Sequence, residues 1–437
     1  MPNQLSRRHF LKTSVLAGTA VGLGSAPRVH ASEDNIIKVG LIGCGGRGRG
    51  AAVNALNADP NVQIVAVGDA FLANAQGAVE GLKAAYGDRV TATEETTFAG
   101  LEAYKQVIPE SDVVLLCESP GFRPISLRAA VEAGKHVFCE KPVATDAPGI
   151  KSVMESTAIA KEKGLSLVSG LCWRYDLNVN DMMQRVLDGA IGDIVSARLT
   201  YLTGKLWNRP RLENDTEMQF QVRNWYNFAW LSGDYNVEQH VHTLDKALWA
   251  MNDVPPSSAY GIGARMQRVE QPAYGDIYDS MAVVFEYPNG TTFYSYCRQQ
   301  DGCWGENNAH FAGTKGFATI LGGGRITDLD GNVIYKQELV PSDMYTLEHI
   351  ELYKSIRNGD PINNGDYMAK ATMMGIMGRE VCYTGKRMTW EQALDGPSLA
   401  PTGYSWDDQP CNLPDENGRY KISVPGIEGK VYHTITR

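Results

Sequence analysis

Ile36–Gly50, IIKVGLIGCGGRGRG, is the stretch on which the reading of the chain turns. A run of β-formers ends at Ile42, and Gly43, Gly45 and Gly48 follow in the spacing G-x-G-x-x-G ahead of an Ala-rich helical segment, Ala51 to Ala58. In that setting Gly43 permits the tight turn out of the strand, Gly45 leaves room for a pyrophosphate against the backbone, and Gly48 lets the helix lie close on the sheet. The free N–H groups at the helix start receive the anion. With 45 glycines in the chain such a spacing arises by chance, so the strand before it and the helix after it carry the weight. The next strand, Val62 to Val67, ends near Asp69, about twenty residues past the last glycine, where a carboxylate accepts hydrogen bonds from ribose hydroxyls and repels a 2′-phosphate. The cofactor expected is therefore NAD, with NADP less favoured; the plainer alternative makes Asp69 an ordinary turn residue.

Outward from this loop the pattern repeats. Leu72 to Tyr86 reads as a helix, a third strand and helix fit before Gln106, and Asp112 to Cys117 is a strand leading into Glu118-Ser119-Pro120. Helices over Ile125–Ala133 and Ala147–Lys163 alternate with strands over His136–Cys139 and Leu165–Ser169. Alternation of this kind predicts an α/β, doubly wound parallel sheet with ligands at the carboxyl ends of its strands. Cys44 and Arg47 in the loop, Glu118 and Pro120 after the fourth strand, and Glu140 and Lys141 after the fifth then share one rim with Gly43, Gly45, Gly48 and Asp69 as cofactor-binding candidates. Beyond Cys172 the rhythm changes. Strands over Ile194–Leu202, Ser280–Tyr287, Thr291–Cys297 and Gly316–Leu321, an Asn289-Gly290 hairpin turn and a second turn at Asp328–Asn332 predict an α+β domain on an open, predominantly antiparallel sheet. Helices over Asn180–Asp188, Glu238–Met251, Tyr345–Arg357 and Met368–Tyr383 cover one face; the other is left for a second subunit, so a homo-oligomer is expected.

At 437 residues the chain is long for one core, and the division expected is 1–31, 32–172 and 173–437. The net charge of −9 argues against nucleic acid and anionic membrane as partners. The eight cysteines contain no C-x-x-C pair, and no metal site is expected. Ser6-Arg7-Arg8-His9-Phe10-Leu11-Lys12, a weakly apolar run to Leu23 and the small-residue site Val29-His30-Ala31 read as a twin-arginine export signal cut after Ala31. The apolar run is short of the roughly 20 residues a membrane span needs. The location expected is periplasmic or otherwise extracytoplasmic.

Two clusters carry chemistry. In Cys139-Glu140-Lys141-Pro142 a lysine on the rim can orient a hydroxyl and steady a developing alkoxide, although taken alone it also fits a surface lysine in a loop. In the run Gly233 to Asp245, a helix begun near Val237 places Glu238, His242 and Asp245 on one face, so that a carboxylate can fix the tautomer of His242 as general base; a structural histidine is the plainer alternative. Tyr235 and His240 lie in the same run. Upstream, Trp207, Trp225, Tyr226, Phe228 and Trp230 with Lys205, Arg209, Arg211 and Arg223 interleaved suit a sugar ring, and Arg223 and Trp225 join Tyr235, Glu238 and His240 as substrate-binding candidates.

With the glycine loop, AGKHVFCEKPVA (Ala133 to Ala144) and the Glu238/His242/Asp245 run in one order, the chain resembles the glucose-fructose oxidoreductase, inositol dehydrogenase and rhizopine-catabolism family, Gfo/Idh/MocA. The resemblance implies a Rossmann domain followed by an open-sheet domain with nicotinamide between them, Lys141 as the active-site lysine and His242 as the catalytic histidine. Glu238 stands where the family usually has Asp, no histidine follows Pro120, and His240 replaces a common glycine. The function expected is oxidation of a hydroxyl of a sugar, glycoside or cyclitol with a retained, self-recycling cofactor. The alternatives are an NAD-dependent glycosidase, working by oxidation, elimination, hydration and reduction with Tyr235, Glu238 or His240 as the extra acid or base, and a non-catalytic sugar-binding protein.

Overall fold

The computed structural model describes residues 36–270 and 272–427. The export signal read over residues 1–31 lies outside them.

The first sheet contains β1 (Ile37–Ile42), β2 (Val62–Asp69), β3 (Thr97–Ala99), β4 (Val113–Leu116), β5 (His136–Cys139) and β6 (Leu167–Ser169) in the order β3-β2-β1-β4-β5-β6. Every pairing in it is parallel. Val39, Leu41 and all of β4 are fully buried, as unbroken apolar runs must be when both faces are covered. The covering helices are α1 (Gly46–Ala58), α2 (Leu72–Tyr86), α3 (Tyr104–Glu110), α4 (Arg123–Glu132) and α5 (Ala147–Glu162). Asp146 starts α5 by accepting the Gly149 N–H at 2.8 Å.

Past α6 (Leu177–Leu187) comes β7 (Ile194–Thr203), then four short helices: α7 (Glu217–Arg223), α8 (Ala229–Ser232), α9 (Tyr235–Glu238) and α10 (Val241–Ala250). The chain continues through β8 (Ser258–Ala264), β9 (Ser280–Glu286), β10 (Thr292–Gln299), β11 (Glu306–Gly313), β12 (Gly316–Thr319), β13 (Arg325–Asp328) and β14 (Val333–Lys336). It ends in α11 (Met344–Asn358), α12 (Gly365–Thr384), β15 (Met388–Thr389) and α13 (Trp390–Leu394). The nine-stranded sheet runs β14-β13-β12-β11-β7-β10-β9-β8-β15. Only β7 with β10 pairs in parallel, so the sheet is mixed and mostly antiparallel. The Asn289-Gly290 turn joins β9 to β10, with Gly290 at φ +86°.

Helices α9, α10 and α12 pack on one face of this sheet. α12 is apolar nearly all round because it is enclosed by sheet, α5 and α10, and a Cβ on Gly378 would come within 2.6 Å of Asn236 Nδ2. The opposite face exposes Tyr260, Ile262, Tyr294, Tyr296 and Phe317. Two features depart from expectation. The helix expected over Glu238–Met251 is broken: α9 stops at Glu238 and α10 starts at Val241. α11 returns to the first sheet, packing on α1, β5 and β6, with Leu352, Tyr353 and Ile356 buried in the core under that sheet.

Candidate cofactor and substrate site

One cavity of about 1040 Å³ runs between the domains. At one end is the loop from β1 to α1. Gly43 stands at φ +88° and a Cβ there would meet the Glu118 N at 2.3 Å; a Cβ on Gly48 would come within 1.8 Å of the Gly43 carbonyl oxygen. Gly45, by contrast, has open space where its Cβ would lie, which is the clearance a pyrophosphate needs. Asp69, at the end of β2, is held by the loop itself: Oδ2 accepts the Cys44 N–H at 2.7 Å and Oδ1 accepts from Phe71 N at 2.9 Å and Asn74 Nδ2 at 3.0 Å. A cradle that a side chain would fill, at a helix start and beside a fixed carboxylate, fits a dinucleotide.

Arg47 leaves α1 between two carboxylates. Its Nε donates to Glu140 and its Nη2 to Glu348 at 3.2 Å, while its guanidinium sits 4.7 Å from the Tyr345 ring centre. Burial pushes the Glu348 carboxyl well above the usual range, and its Oε2 has no partner. Glu118 lines the cavity with its carboxyl buried; burial lifts it to about 7 against the pull of Arg123.

The other end is organised by the turn after β5. Lys141, joined to Pro142 by a cis peptide bond, donates through Nζ to Glu238 Oε1 at 2.8 Å and to the Glu238 carbonyl at 2.6 Å. His242 lines the same end, its Nδ1 buried without a partner. Burial, then the cations of Lys141 and Lys246, hold its pKa well below the ordinary histidine value. The imidazole is therefore neutral near pH 7 and able to take a proton. Tyr201 completes this end, its phenol kept protonated by a pKa that burial pushes up to about 12.

Of the residues singled out in the sequence, Gly43, Gly45, Arg47, Gly48 and Asp69 line the cavity, as do Glu118, Glu140 and Lys141. So do Glu238, His242, Trp225 and Arg223. Cys44, Pro120, Tyr235 and His240 do not. Cys44 takes part through its backbone, holding Asp69. Tyr235 points its hydroxyl behind β7, 2.7 Å from the Tyr201 carbonyl. His240 faces the second sheet, Nε2 lying 2.6 Å from Ser295 Oγ, because the break after α9 turns it away from His242. Asp245 does not orient His242: it pairs with Arg174 at 2.8 Å. Arg223 lies with its guanidinium 5.2 Å from the ring of Phe71, two residues past Asp69. Sequence reasoning passed over Tyr201 and Phe71, which stand at the end of a predicted strand and two residues past Asp69. It also passed over Tyr345, which a distant helix brings in and for which no local signal exists.

Open glycine loop, fixed carboxylate and lysine-histidine end together define a dinucleotide-binding protein of the Rossmann oxidoreductase class. Residues 37–171 match the family described as an oxidoreductase family with an NAD-binding Rossmann fold, and residues 179–319 match the Gfo/Idh/MocA C-terminal domain. The chain belongs to the Gfo/Idh/MocA family. It is 25% identical over 256 residues to an inositol 2-dehydrogenase of Rhizobium meliloti, covering 58% of this chain and 66% of that one. Matches to relatives from Bacillus subtilis and Cereibacter sphaeroides span 47% and 38% of their lengths. A D-glucoside 3-dehydrogenase of Escherichia coli is 25% identical over 324 residues, 70% of this chain and 83% of that enzyme. The fold is shared with the scyllo-inositol dehydrogenase of Lactobacillus casei solved with NAD(H) and scyllo-inositol: TM-score 0.60, 18% identity, 82% of this chain and 100% of that one.

Proposed function

We propose that this chain is an NAD-dependent oxidoreductase acting on a ring hydroxyl of a sugar, glycoside or cyclitol. The observation that carries the reading is the convergence of Lys141, Glu238 and His242 on the cavity that also holds the glycine loop and Asp69. Neutral His242 takes the hydroxyl proton. Lys141 places positive charge beside the oxygen as it becomes anionic; Glu238 occupies two of its three N–H donors, which leaves one for substrate. When bound, the nicotinamide supplies the hydride acceptor. Glu140 steadies the turn by accepting the Lys141 N–H at 3.0 Å while it holds Arg47. Asp69 favours NAD, since its carboxylate repels a 2′-phosphate. The names of relatives, which act on inositols and a D-glucoside, support a polyhydroxylated ring as substrate.

On this proposal the protein is exported folded by the twin-arginine route with the cofactor retained, so that one dinucleotide is reduced and reoxidised in place. The glycosidase alternative depends on Glu238 for its extra base, because Tyr235 and His240 lie off the cavity. The exposed apolar face of the nine-stranded sheet supports a homo-oligomer. The test is to incubate purified protein with inositols, free sugars and glycosides while following both reduced-cofactor absorbance and released sugar. Reduction with cyclitols or sugars, lost in Lys141→Ala and His242→Ala, supports the dehydrogenase; glycoside cleavage without net reduction shifts the assignment to the glycosidase; no turnover sensitive to either substitution refutes both. Native mass spectrometry of the same sample reads bound dinucleotide and subunit number.

A further inference from the structure

The last described stretch of chain, 396–427, lies beyond the residues that match the family and crosses both domains. It begins against the first domain, where the Leu399 N–H donates to Asp146 at 2.6 Å. Tyr404 then packs on Phe122 and Trp406 on Phe71, with ring centres 5.8 and 5.4 Å apart. Both phenylalanines line the cavity. Further on, the Asn412 carbonyl accepts from Gln221 Nε2 at 2.7 Å, Asn412 Nδ2 donates to Asp276 at 2.8 Å, and the Tyr420 hydroxyl donates to Glu217. Glu217 and Gln221 belong to α7, the helix that ends in Arg223. Asp215 fixes Arg223 through two hydrogen bonds of 2.7 and 3.1 Å, and the guanidinium stands over Phe71. One face of Phe71's surroundings is thus supplied by the second domain and another by the tail.

We propose that Arg223 is a cofactor-binding residue that closes the adenosine end of the cavity against Phe71, and that the tail keeps α7 and Phe71 in this closed arrangement. The inference rests on the cavity taking a dinucleotide. A guanidinium over an aromatic ring beside a ribose-binding carboxylate is chemistry suited to a purine: the planar cation stacks on aromatic faces and its fork donates to nitrogen and oxygen acceptors. A lysine-histidine end alone gives no reason for a cation over Phe71, two residues past Asp69. The dinucleotide then leaves only when α7 lifts, and the tail opposes that movement.

The experiment uses the full chain and measures, by equilibrium titration, the affinities of ADP-ribose and nicotinamide mononucleotide, and by rapid mixing the release rate of NAD. Arg223→Met is expected to weaken ADP-ribose by about tenfold, the equivalent of about 1.4 kcal/mol, and to leave nicotinamide mononucleotide unchanged. Trp406→Leu is expected to speed NAD release by about threefold or more, with the thermal midpoint within a degree or two of wild type. Should Arg223→Met not fold because Asp215 is left unpaired, Trp406→Leu carries the test alone. Equal loss of both half-ligands in Arg223→Met, or unchanged NAD release in Trp406→Leu, overturns the proposal. A wild-type protein that binds neither NAD nor ADP-ribose refutes instead the dinucleotide reading on which the proposal stands.

Discussion

Lys141→Met removes one partner of an ion pair whose side chains are 15% and 11% exposed and whose charged atoms are 2.8 Å apart. At that separation and an effective dielectric near 20 the attraction is about 6 kcal/mol before desolvation is set against it. Most of that offsets the cost of bringing both charges into the cavity wall, but the substitution leaves Glu238 charged and alone, which costs about 3 kcal/mol for a site this enclosed. A loss of that size lowers the thermal midpoint by about 5 °C. Turnover falls further than stability accounts for, by about 10²–10³-fold, because the cation facing the reacting oxygen is gone. The double variant Lys141→Met/Glu238→Gln separates the two effects: the lone carboxylate disappears and most of the midpoint returns, while turnover stays low. Scanning calorimetry and single-turnover reduction of the cofactor read the two quantities on one preparation. Recovery of turnover together with stability in the double variant, or turnover in Lys141→Met within a few-fold of wild type, would refute the role given to this lysine.

His242→Asn is expected to lower turnover by about 10²–10⁴-fold with NAD affinity unchanged in titration. Since burial and the cations of Lys141 and Lys246 hold the His242 pKa down, the acid limb of the turnover profile is expected below the ordinary histidine range and Lys246→Met is expected to move it to higher pH, which a pH series of turnover checks. Gly45→Ala keeps the thermal midpoint but weakens NAD, as its methyl enters open space, whereas Gly48→Ala also loses about 1–3 kcal/mol of stability by overpacking against the Gly43 carbonyl. Glu118 has a folded-state pKa raised from 4.5 to about 7, so protonation stabilises the folded chain below about pH 4.5 and that contribution is lost as pH rises through 7. Glu118→Gln, neutral throughout, gains on wild type by at most about 3 kcal/mol above pH 7 and by nothing near pH 4, which denaturant melts at the two pH values check.

Both sheets and the organisation of the first were legible because their signals are local: glycines at a turn, apolar runs of strand length, an Asn-Gly hairpin. β11 was not, although it lies beside β7, the middle strand of the second sheet, because Glu306, Asn307, Asn308 and His310 are poor strand formers and only Ala309, Phe311 and Gly313 face the core. Lys141 and His242 line one cavity, but neither carboxylate expected to orient His242 bonds to it: Glu238 pairs with Lys141. Helical spacing put Asp245 beside His242, and the structure gives that carboxylate to Arg174, distant in sequence and near in space. Likewise His240 looked like an added polar group at the site. Asp234, at φ +73°, starts α9 as a single turn, and the break that follows points His240 into the core. Periodicity predicts neighbours only while a helix continues, and a four-residue helix does not continue.

The return of α11 to the first sheet bears on the order in which the chain acquires its shape. Leu352, Tyr353 and Ile356 are buried among residues of β1, β2 and β5, and Glu348 reaches Arg47 in the nucleotide loop. During synthesis the first domain must wait, its flank uncovered, until more than three quarters of the protein has left the ribosome. A fragment cut at residue 172 would keep every strand of the parallel sheet and still lack the helix that closes it. Closure of that flank, and the carboxylate that Glu348 brings to Arg47 in the nucleotide loop, therefore wait for α11.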